Sequence, residues 1–279
     1  MLKKRIITSL WGIPLLTAIT WFGEPLFTIL LVVWGALAVF EFYRPVTATR
    51  GSPLTYFGLV WTALFIASRN SQVIAFLQPR FSESQLAPLL ITLAVILPLI
   101  WRLLRPRKVE AFASWVWTIA GILYIGWLLG YIVALRDLDG NRTWQSWVFF
   151  ALFTTFASDT AAFFIGRAWG RHKLAPNISP GKTREGAIGG LLGAIIFSLF
   201  FILPTPLRLP MNWGQTILLG GLVSIFGQLG DLVESLFKRN MGVKDSGNLL
   251  PGHGGVLDRI DSIIFAGIVV YYYVIWVIP

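Results

Sequence analysis

The residues of this chain that could do chemistry are concentrated between Ser235 and Asp261. This stretch holds three carboxylates, four lysine or arginine side chains and one histidine among several glycines, and it lies between two strongly apolar segments. A loop that only connects helices needs little more than polarity, whereas these groups can bind phosphate and divalent metal ions. We therefore expect the functional site here. The ionisable residues of the stretch are Lys238, Arg239, Lys244, Asp245, His253, Asp258, Arg259 and Asp261.

Carboxylates in the two neighbouring apolar segments indicate a metal site. Asp231, Glu234 and Ser235 are spaced by three and four residues, which places them on one face of a helix. Asp258 and Asp261, three residues apart, share a face at the start of the next apolar segment. Two apolar helices that present carboxylates at the same depth can bind a hard divalent cation through oxygen ligands. The alternative is a set of interhelical salt bridges to the neighbouring lysines and arginines.

Another carboxylate lies inside an apolar segment that precedes these two. Asp159 is about nine residues from the end of its segment, which corresponds to a depth of about 13 Å in a helix. A carboxylate at that depth costs a few kcal/mol unless it faces water or a cation. Asp159 is therefore interpreted as part of a functional site, with a structural ion pair inside the helical bundle as the alternative.

A second basic segment, residues 171–186 (RHKLAPNISPGKTREG), is suited to binding phosphate. Ser179, Lys182 and Thr183 supply hydroxyl groups and a cation, and the segment leads into a helix N-terminus, which attracts anions. The SPGKT core resembles a P-loop, but Pro176 stands where that motif requires its first glycine. A Walker-type nucleotide-binding loop is therefore excluded. The segment is interpreted as a phosphate-binding loop, and a plain solvated connector is the alternative.

The elements that must position these groups are membrane helices. Of the 279 residues, 56% are hydrophobic and only 13% are charged, whereas soluble domains carry about a quarter charged residues. Apolar blocks of roughly 18 to 25 residues recur, and this is the length that crosses a bilayer as a helix. The sequence predicts an all-α, polytopic integral membrane protein with about nine transmembrane helices. The blocks are 5–22, 25–42, 54–76, 86–104, 111–135, 145–168, 186–203, 214–236 and 260–278.

The distribution of positive charge predicts the orientation of these helices. With nine spans, 18 of the 23 lysines and arginines fall on one side of the membrane. Positive loops stay cytoplasmic, so we expect a cytoplasmic N-terminus and a cytoplasmic loop at 237–259. The formal net charge of +10 is explained by this orientation and by attraction to anionic lipid, and it requires no nucleic acid as a partner.

The two halves of the chain differ in composition. Residues 1–143 are expected to form a transmembrane scaffold of about five helices. Seven of the thirteen acidic residues lie between Asp159 and Asp261, so residues 144–279 are expected to form the catalytic region with two cytoplasmic loops, 166–186 and 237–259. The chain contains no cysteine, which excludes disulfides, thiolate metal ligands and a cysteine nucleophile.

The segments described above resemble motifs of one known family. Residues 235–261 contain SLFKR, then KD, then PGHGGVLDRID, which is similar to the signature of the phosphatidate cytidylyltransferases, also called CDP-diacylglycerol synthases. Asp159-Thr160 and SPGKTREG at 179–186 resemble upstream motifs of that family. The resemblance is detailed over roughly 155–265. Residues 1–150 match the family only in containing several membrane spans.

The resemblance implies a membrane enzyme of phospholipid biosynthesis that makes CDP-diacylglycerol and pyrophosphate from CTP and phosphatidate. It also implies a homodimer, a site that depends on Mg²⁺, and a monovalent cation such as K⁺ nearby. In the family, the aspartates that match Asp231 and Asp258 are metal ligands, and Asp261 is the expected third. We expect the protein in the inner (cell) membrane of a bacterium, with its active site facing the cytoplasm.

Each candidate residue is assigned a role on this basis. The expected metal ligands are Asp231, Asp258 and Asp261. The residues expected to act in catalysis are these three aspartates with Lys238, Arg239, Lys244, Asp245 and His253. The residues expected to bind substrate are Asp159, Ser179, Lys182, Thr183, Glu185, Ser235 and Arg259.

Two other functions remain open at the level of the sequence. The first is another CTP-dependent membrane lipid enzyme, such as a polyprenol or dolichol kinase or a CDP-archaeol synthase, which would share the phosphate-binding loops. The second is an anion or lipid transporter, since these proteins also carry acidic groups within the membrane. Transporters often show repeated halves, however, and no internal repeat is evident in this sequence.

Overall fold

The computed structural model describes residues 12, 14–49, 51–78, 83–104, 111–138, 144–247, 249 and 254–278. This part of the chain is almost entirely helical, and seven of its helices are long and apolar enough to cross a membrane. The prediction of an all-α, polytopic membrane protein is confirmed. The total of nine spans and the side of the N-terminus stay predictions.

The first half of the described chain forms seven helices. They are α1 (14–22), α2 (Leu26–Thr49), α3 (Thr55–Ala67), α4 (Ser71–Leu77), α5 (Glu83–Leu104), α6 (Ala111–Gly121) and α7 (Leu128–Asp137). A π-helical segment, Ile122–Trp127, joins α6 to α7, so that Ala111–Asp137 is one continuous span.

The predicted third span, 54–76, is wrong as a single helix. The structure divides it into α3, of 13 residues, and α4, of seven. The division occurs at Ser68–Asn70, because the Asn70 side chain accepts hydrogen bonds from the N–H groups of Gln72 and Val73 and so begins a new helix. At 1.5 Å per residue α3 is about 20 Å long, which is shorter than the ~30 Å hydrocarbon layer.

The second half contains a hairpin between long helices. Its elements are α8 (Trp144–Trp169), β1 (Lys173–Ala175), β2 (Ser179–Thr183), α9 (Arg184–Ser198), α10 (Trp213–Asn240) and α11 (Leu257–Val277), with a 3₁₀ turn at Leu199–Ile202 after α9. The two strands are antiparallel. Predicted loop 166–186 is therefore structured. Its turn places Pro176 and Asn177 between Ala175 and Ile178, and the Ile178 N–H donates to the Ala175 carbonyl.

The other predicted loop, 237–259, is shorter than expected. Helix α10 continues through Lys238 and Arg239, whose positive charges are favourable at a helix C-terminus. It ends at Asn240, and Gly242, two residues later, has a φ of 69°. The N–H groups of Gly242 and Val243 donate to the carbonyls of Arg239 and Lys238. Because α11 begins at Leu257, the connection between the two helices covers only 241–256.

The structure divides into two compact units. The first comprises residues 1–134 together with 245–257, and the second comprises 135–244 together with 258–279. In the first unit, Phe65, Leu90, Ala94 and Ile122 form a buried apolar cluster. The Tyr43 hydroxyl donates to the Thr118 carbonyl at 2.6 Å, which links α2 to α6.

In the second unit, small and polar residues join three helices. The hydroxyls of Ser158 on α8 and Ser224 on α10 lie 2.7 Å apart, and Gln228 on α10 donates both to Ser224 and to the Ala187 carbonyl of α9. In a membrane, helices associate through such close packing and interhelical hydrogen bonds. Contact between apolar side chains gives little driving force there, because the lipid chains are equally apolar. This polar layer lies beside Asp159 and Asp231 in sequence and holds the helices that carry them.

Candidate functional site

Three carboxylates from two helices converge in the second unit. Asp231 and Glu234 on α10 and Asp261 on α11 each place one oxygen within 4.8 Å of the other two. Glu234 and Asp261 are buried, while Asp231 is half-buried. The three-carboxylate group is therefore open on the Asp231 side and closed on the Glu234 side.

A close approach of α10 to α11 brings these carboxylates together. A Cβ atom on Gly230 would lie 2.5 Å from the Asp261 carbonyl oxygen and 3.1 Å from the Phe265 ring. Only glycine leaves room for the two backbones at this contact. Since Gly230 immediately precedes Asp231, the contact sets the separation between the carboxylates of the two helices.

Substitution of Gly230 by alanine should therefore disturb the site. The added methyl group forces α10 and α11 apart, and overpacking of this kind costs about 1–3 kcal/mol. We expect lower thermal stability in detergent and a turnover reduced by at least tenfold, measured on the purified protein. Gly227→Ala is the matched control, because its Cβ would make only ordinary contacts of 3.6–3.8 Å with Thr155 and Ser262. Equal effects of the two substitutions would contradict the proposed role of Gly230.

Lys238 connects the three-carboxylate group to Asp258. Its ammonium group lies 2.5 Å from Glu234 Oε2 and 2.6 Å from Asp258 Oδ1. Within the described chain, the three-carboxylate group contains Glu234 and not Asp258. The predicted role of Asp258 as a metal ligand stays a prediction. The i, i+3 spacing places Glu234 on the same helix face as Asp231 and so indicates that the two carboxylates lie together. The sequence analysis did not assign Glu234 as a ligand.

The three-carboxylate group fits a hard divalent cation. Carboxylate oxygens are the ligands that Mg²⁺ and Ca²⁺ prefer. Glu234 Oε1 is buried and has no hydrogen-bond partner within the part of the chain that the structure describes. A buried acceptor without a donor is costly, and a cation bound there would satisfy it. Asp231, Glu234 and Asp261 are therefore the residues that could hold a metal ion.

The β-hairpin places a lysine side chain beside the three-carboxylate group. Lys182 on β2 forms an ion pair with Asp231 Oδ2 at 2.7 Å, and Ser235 donates to Asp231 Oδ1 at 3.3 Å. The turn of the hairpin is attached to α10, because Arg239 Nε donates to the Ile178 carbonyl at 3.1 Å. The hairpin is thus held against α10 at both ends of its second strand.

Two residues assigned to substrate binding stabilise the hairpin and α9. Thr183 is the N-cap of α9, and its hydroxyl oxygen accepts a hydrogen bond from the Gly186 N–H at 3.1 Å. The Glu185 carboxylate accepts from the backbone N–H groups of Arg171 and His172 and contacts the His172 ring at 2.6 Å. These contacts position the start and the end of the hairpin, and the predicted substrate contacts of both residues stay predictions.

Asp159 belongs to the same electrostatic environment. It interacts with the charges of Asp231, Lys182 and Arg259. Asp159 is ten residues from the end of α8, or about 15 Å along the helix axis, yet it is exposed. An exposed carboxylate at this depth is stable only if its surroundings are polar, and the neighbouring charges supply such surroundings.

The remaining candidates lie outside the carboxylate cluster or outside the described residues. Arg259, Lys244 and Asp245 are exposed, and Ser179 is half-buried on β2. His253 falls outside the described residues, so its predicted role stays a prediction. Glu41 on α2 is a buried carboxylate that the sequence analysis did not assign to the site.

Comparison with known proteins relates this geometry to a family. The model of the cytidylyltransferase family matches residues 3–277. The phosphatidate cytidylyltransferase of Bacillus subtilis is 36% identical over 264 residues, which cover 95% of this chain and 94% of that protein. The enzyme of the same name from Brucella suis is 36% identical over 276 residues, covering 97% and 92% of the two chains.

A third relative matches only part of the chain. The phosphatidate cytidylyltransferase of Staphylococcus haemolyticus is 43% identical over 155 residues, covering 56% of this chain and 57% of that protein. The match of the family model extends over both units, so the resemblance of the 235–261 signature is confirmed for the chain as a whole. The chain therefore belongs to the cytidylyltransferase family.

Proposed function

We propose that this protein is a phosphatidate cytidylyltransferase, a nucleotidyltransferase that converts CTP and phosphatidate to CDP-diacylglycerol and pyrophosphate. The observation that carries the proposal is the convergence of Asp231, Glu234 and Asp261 with the ammonium groups of Lys182 and Lys238. The near full-length relatives that bear this enzyme's name support the choice of substrates. A kinase, an archaeal lipid synthase or a transporter is not favoured by these relatives.

The chemical problem of this reaction is electrostatic. A phosphate oxygen of phosphatidate attacks the α-phosphorus of CTP, a new P–O bond forms, and the bond to the bridging oxygen of pyrophosphate breaks. The nucleophile is already anionic, so no strong general base is needed. Two polyanions must nevertheless meet, and cations that neutralise them are the main requirement for phosphoryl-group chemistry.

We propose Mg²⁺ as the cofactor, held by Asp231, Glu234 and Asp261, with a monovalent cation such as K⁺ as a second ion. When bound, Mg²⁺ neutralises phosphate charge and stabilises the leaving group. Asp258 is retained as a proposed contributor that acts through Lys238, the residue it contacts at 2.6 Å. The oxygen-only donor set and the unpaired Glu234 Oε1 described above support this assignment.

The chain's own cations would hold the phosphates. Lys182 extends from β2 to the open side of the three-carboxylate group and is suited to bind a phosphate of CTP. Lys238 is mostly buried between Glu234 and Asp258 and keeps these carboxylates together. We further propose that Arg239, Lys244 and His253 bind phosphoryl oxygens and that Asp245 orients Lys244.

We also propose that the protein acts as a homodimer in the bacterial inner membrane, with its site on the cytoplasmic side. The location of 18 of 23 lysines and arginines on one side of the predicted topology supports this orientation, because positive loops stay cytoplasmic. Both the β-hairpin and the α10–α11 connection lie on the predicted cytoplasmic side.

An assay with labelled CTP tests the function directly. Purified protein in detergent is incubated with phosphatidate and CTP labelled at either the α- or the γ-phosphorus, with and without Mg²⁺. The proposal predicts that the α label enters the lipid and the γ label appears in pyrophosphate, only when Mg²⁺ is present. Transfer of the γ label to lipid would identify a kinase, and no lipid product with any divalent metal would refute the proposal.

Lys182→Ala should weaken the use of CTP. Loss of a hydrogen-bonded cation that binds phosphate costs about 1.5–3 kcal/mol, so we expect the KM for CTP to rise by at least tenfold while the protein inserts normally. Lys173→Ala is the matched control, because Lys173 lies on the other strand of the hairpin and donates to the Pro180 carbonyl. If Lys182→Ala behaves like Lys173→Ala, the hairpin is only a connector.

A further inference from the structure

A buried carboxylate in the first unit contacts the segment that leads into α11. Glu41 lies on α2, eight residues before its end, and is 2% exposed. Its Oε2 atom accepts a hydrogen bond from the Leu257 N–H at 2.9 Å and from the Ser246 hydroxyl at 3.2 Å. These partners follow Glu41 in the chain by 216 and 205 residues. Glu41 therefore contacts both Ser246, within the α10–α11 connection, and Leu257, the first residue of α11.

Two glycines of the connection pack closely against this carboxylate. A Cβ atom on Gly247 would collide with Glu41 Oε1, and a Cβ atom on Gly255 would collide with Glu41 Oε2 and with the Ser246 hydroxyl. Ser246, Gly255, Val256 and Leu257 are all buried. The backbone at Gly247 and at Gly255 thus packs against the Glu41 side chain, and only glycine at these positions leaves the carboxylate enough room.

The nature of the contacts indicates a positioning role. The two hydrogen bonds identified for Glu41 come from a hydroxyl and a backbone N–H group, so the carboxylate acts as an acceptor for this segment. Leu257 is the first residue of α11, and a negative charge at its N–H is favourable at a helix N-terminus. Hydrogen bonds to a charged group are among the stronger contacts in a protein.

We propose that Glu41 is a positioning residue that fixes Ser246 and Leu257 and thereby the start of α11. Asp258 follows Leu257 directly in the chain, so the orientation of its side chain depends on how Leu257 is held. The importance of this effect for turnover rests on the proposed function. Helix α2, which lies outside the 235–261 signature, thus supplies a defined contact to the signature segment.

Amide hydrogen exchange tests the contact without any substrate. The full-length protein in detergent is compared with Glu41→Gln, Glu41→Asp and Glu41→Leu, and deuterium uptake is measured for the peptide that covers 245–257. We expect exchange to be about tenfold faster in Glu41→Leu and Glu41→Asp, because loss of a hydrogen bond to a charged group is worth at least this factor. Glu41→Gln should show a smaller acceleration than either, since its amide oxygen reaches the same two donors but carries no charge.

The order of these variants separates positioning from other roles. If only the charge mattered, Glu41→Asp would resemble the parent and Glu41→Gln would not, which would overturn the proposal. Equal acceleration of exchange in α2, α3 and the connection would indicate general loosening and would also overturn it. Glu24→Gln is the matched control, because Glu24 accepts hydrogen bonds from Thr28 at the opposite end of α2, about 25 Å along the helix from Glu41.

Kinetic measurements then connect the contact to the reaction. We expect Glu41→Leu to lower kcat by about tenfold or more with a smaller change in the KM for CTP, and Glu41→Gln to restore most of kcat. Ser246→Ala, which removes one of the two donors, should show a partial effect on exchange and should fold normally. Faster exchange with an unchanged kcat would refute the positioning role, whereas the absence of CDP-diacylglycerol in the parent protein would refute only the proposed function.

Discussion

Replacing Asp231 by asparagine should lower turnover by about 10²-fold or more, the scale of losing a key electrostatic group in an active site. Asp231 is the half-buried member of the three-carboxylate group, and it also pairs with Lys182. Asparagine keeps the size of the side chain but removes the charge that would bind the metal and hold Lys182. The substitution therefore affects both proposed cation sites at once.

The measurement is CDP-diacylglycerol formation by purified protein across a range of Mg²⁺ concentrations. We expect Asp231→Asn to require more Mg²⁺ for half-maximal rate as well as to turn over more slowly. Asp137→Asn is a suitable control, since Asp137 at the end of α7 is a carboxylate outside the three-carboxylate group. A near-normal rate and an unchanged Mg²⁺ dependence in Asp231→Asn would remove this residue from the proposed metal site.

Lys238→Met should destabilise the protein as well as inactivate it. The Lys238 side chain is 12% exposed, and its two partners, Glu234 and Asp258, are 1% and 10% exposed. Removal of one partner from a buried ion pair costs about 3–5 kcal/mol, because the remaining charge is left uncompensated. Here a single substitution leaves two carboxylates without their shared cation.

A double substitution distinguishes the loss of stability from the loss of activity. Thermal unfolding in detergent should show a lower Tm for Lys238→Met and a partial recovery for Lys238→Met/Glu234→Gln, in which one of the uncompensated charges is removed. Turnover should not recover, because Glu234 is also a proposed metal ligand. Arg184→Met serves as the control, since Arg184 is an exposed cation at the start of α9. An unchanged Tm in Lys238→Met would show that the ion pairs contribute little to stability.

The carboxylates of the site lie within the apolar helices themselves. Asp159, Asp231, Glu234 and Asp261 all lie within helices long and apolar enough to cross a membrane. Acidic groups at such positions are costly in lipid, and here cations and close helix packing accompany them. Lys182 and Lys238 therefore serve two purposes, since they offset the carboxylate charge and are placed to act on anionic substrates.

Hydrophobicity and helical periodicity were sufficient to predict the class of the protein and most of its long helices. They were also sufficient to place Asp231, Glu234 and Ser235 on one face of α10, because a face within a helix depends only on the spacing of residues. The 235–261 signature identified the family. These features are local, and each is read from a short stretch of chain.

Interruptions of the local pattern were harder to predict. Asn70 begins a new helix inside an apolar block. Pro176-Asn177 forms the turn of a hairpin within the segment that was predicted as a phosphate-binding loop. Both residues are typical of their positions, and the signals were therefore present. In the sequence analysis these signals were outweighed by the apolar length of 54–76 and by the basic composition of 171–186.

Only the tertiary structure decided which carboxylates meet. Spacing places Asp258 and Asp261 on one face of α11, but only the packing of α11 against α10 brings Asp261 to Asp231 and Glu234. The two helices approach closely at Gly230. The contact of Glu41 with Ser246 and Leu257 joins residues more than 200 positions apart. Such pairings depend on how helices pack, and the periodicity of a single helix contains no information about its neighbour.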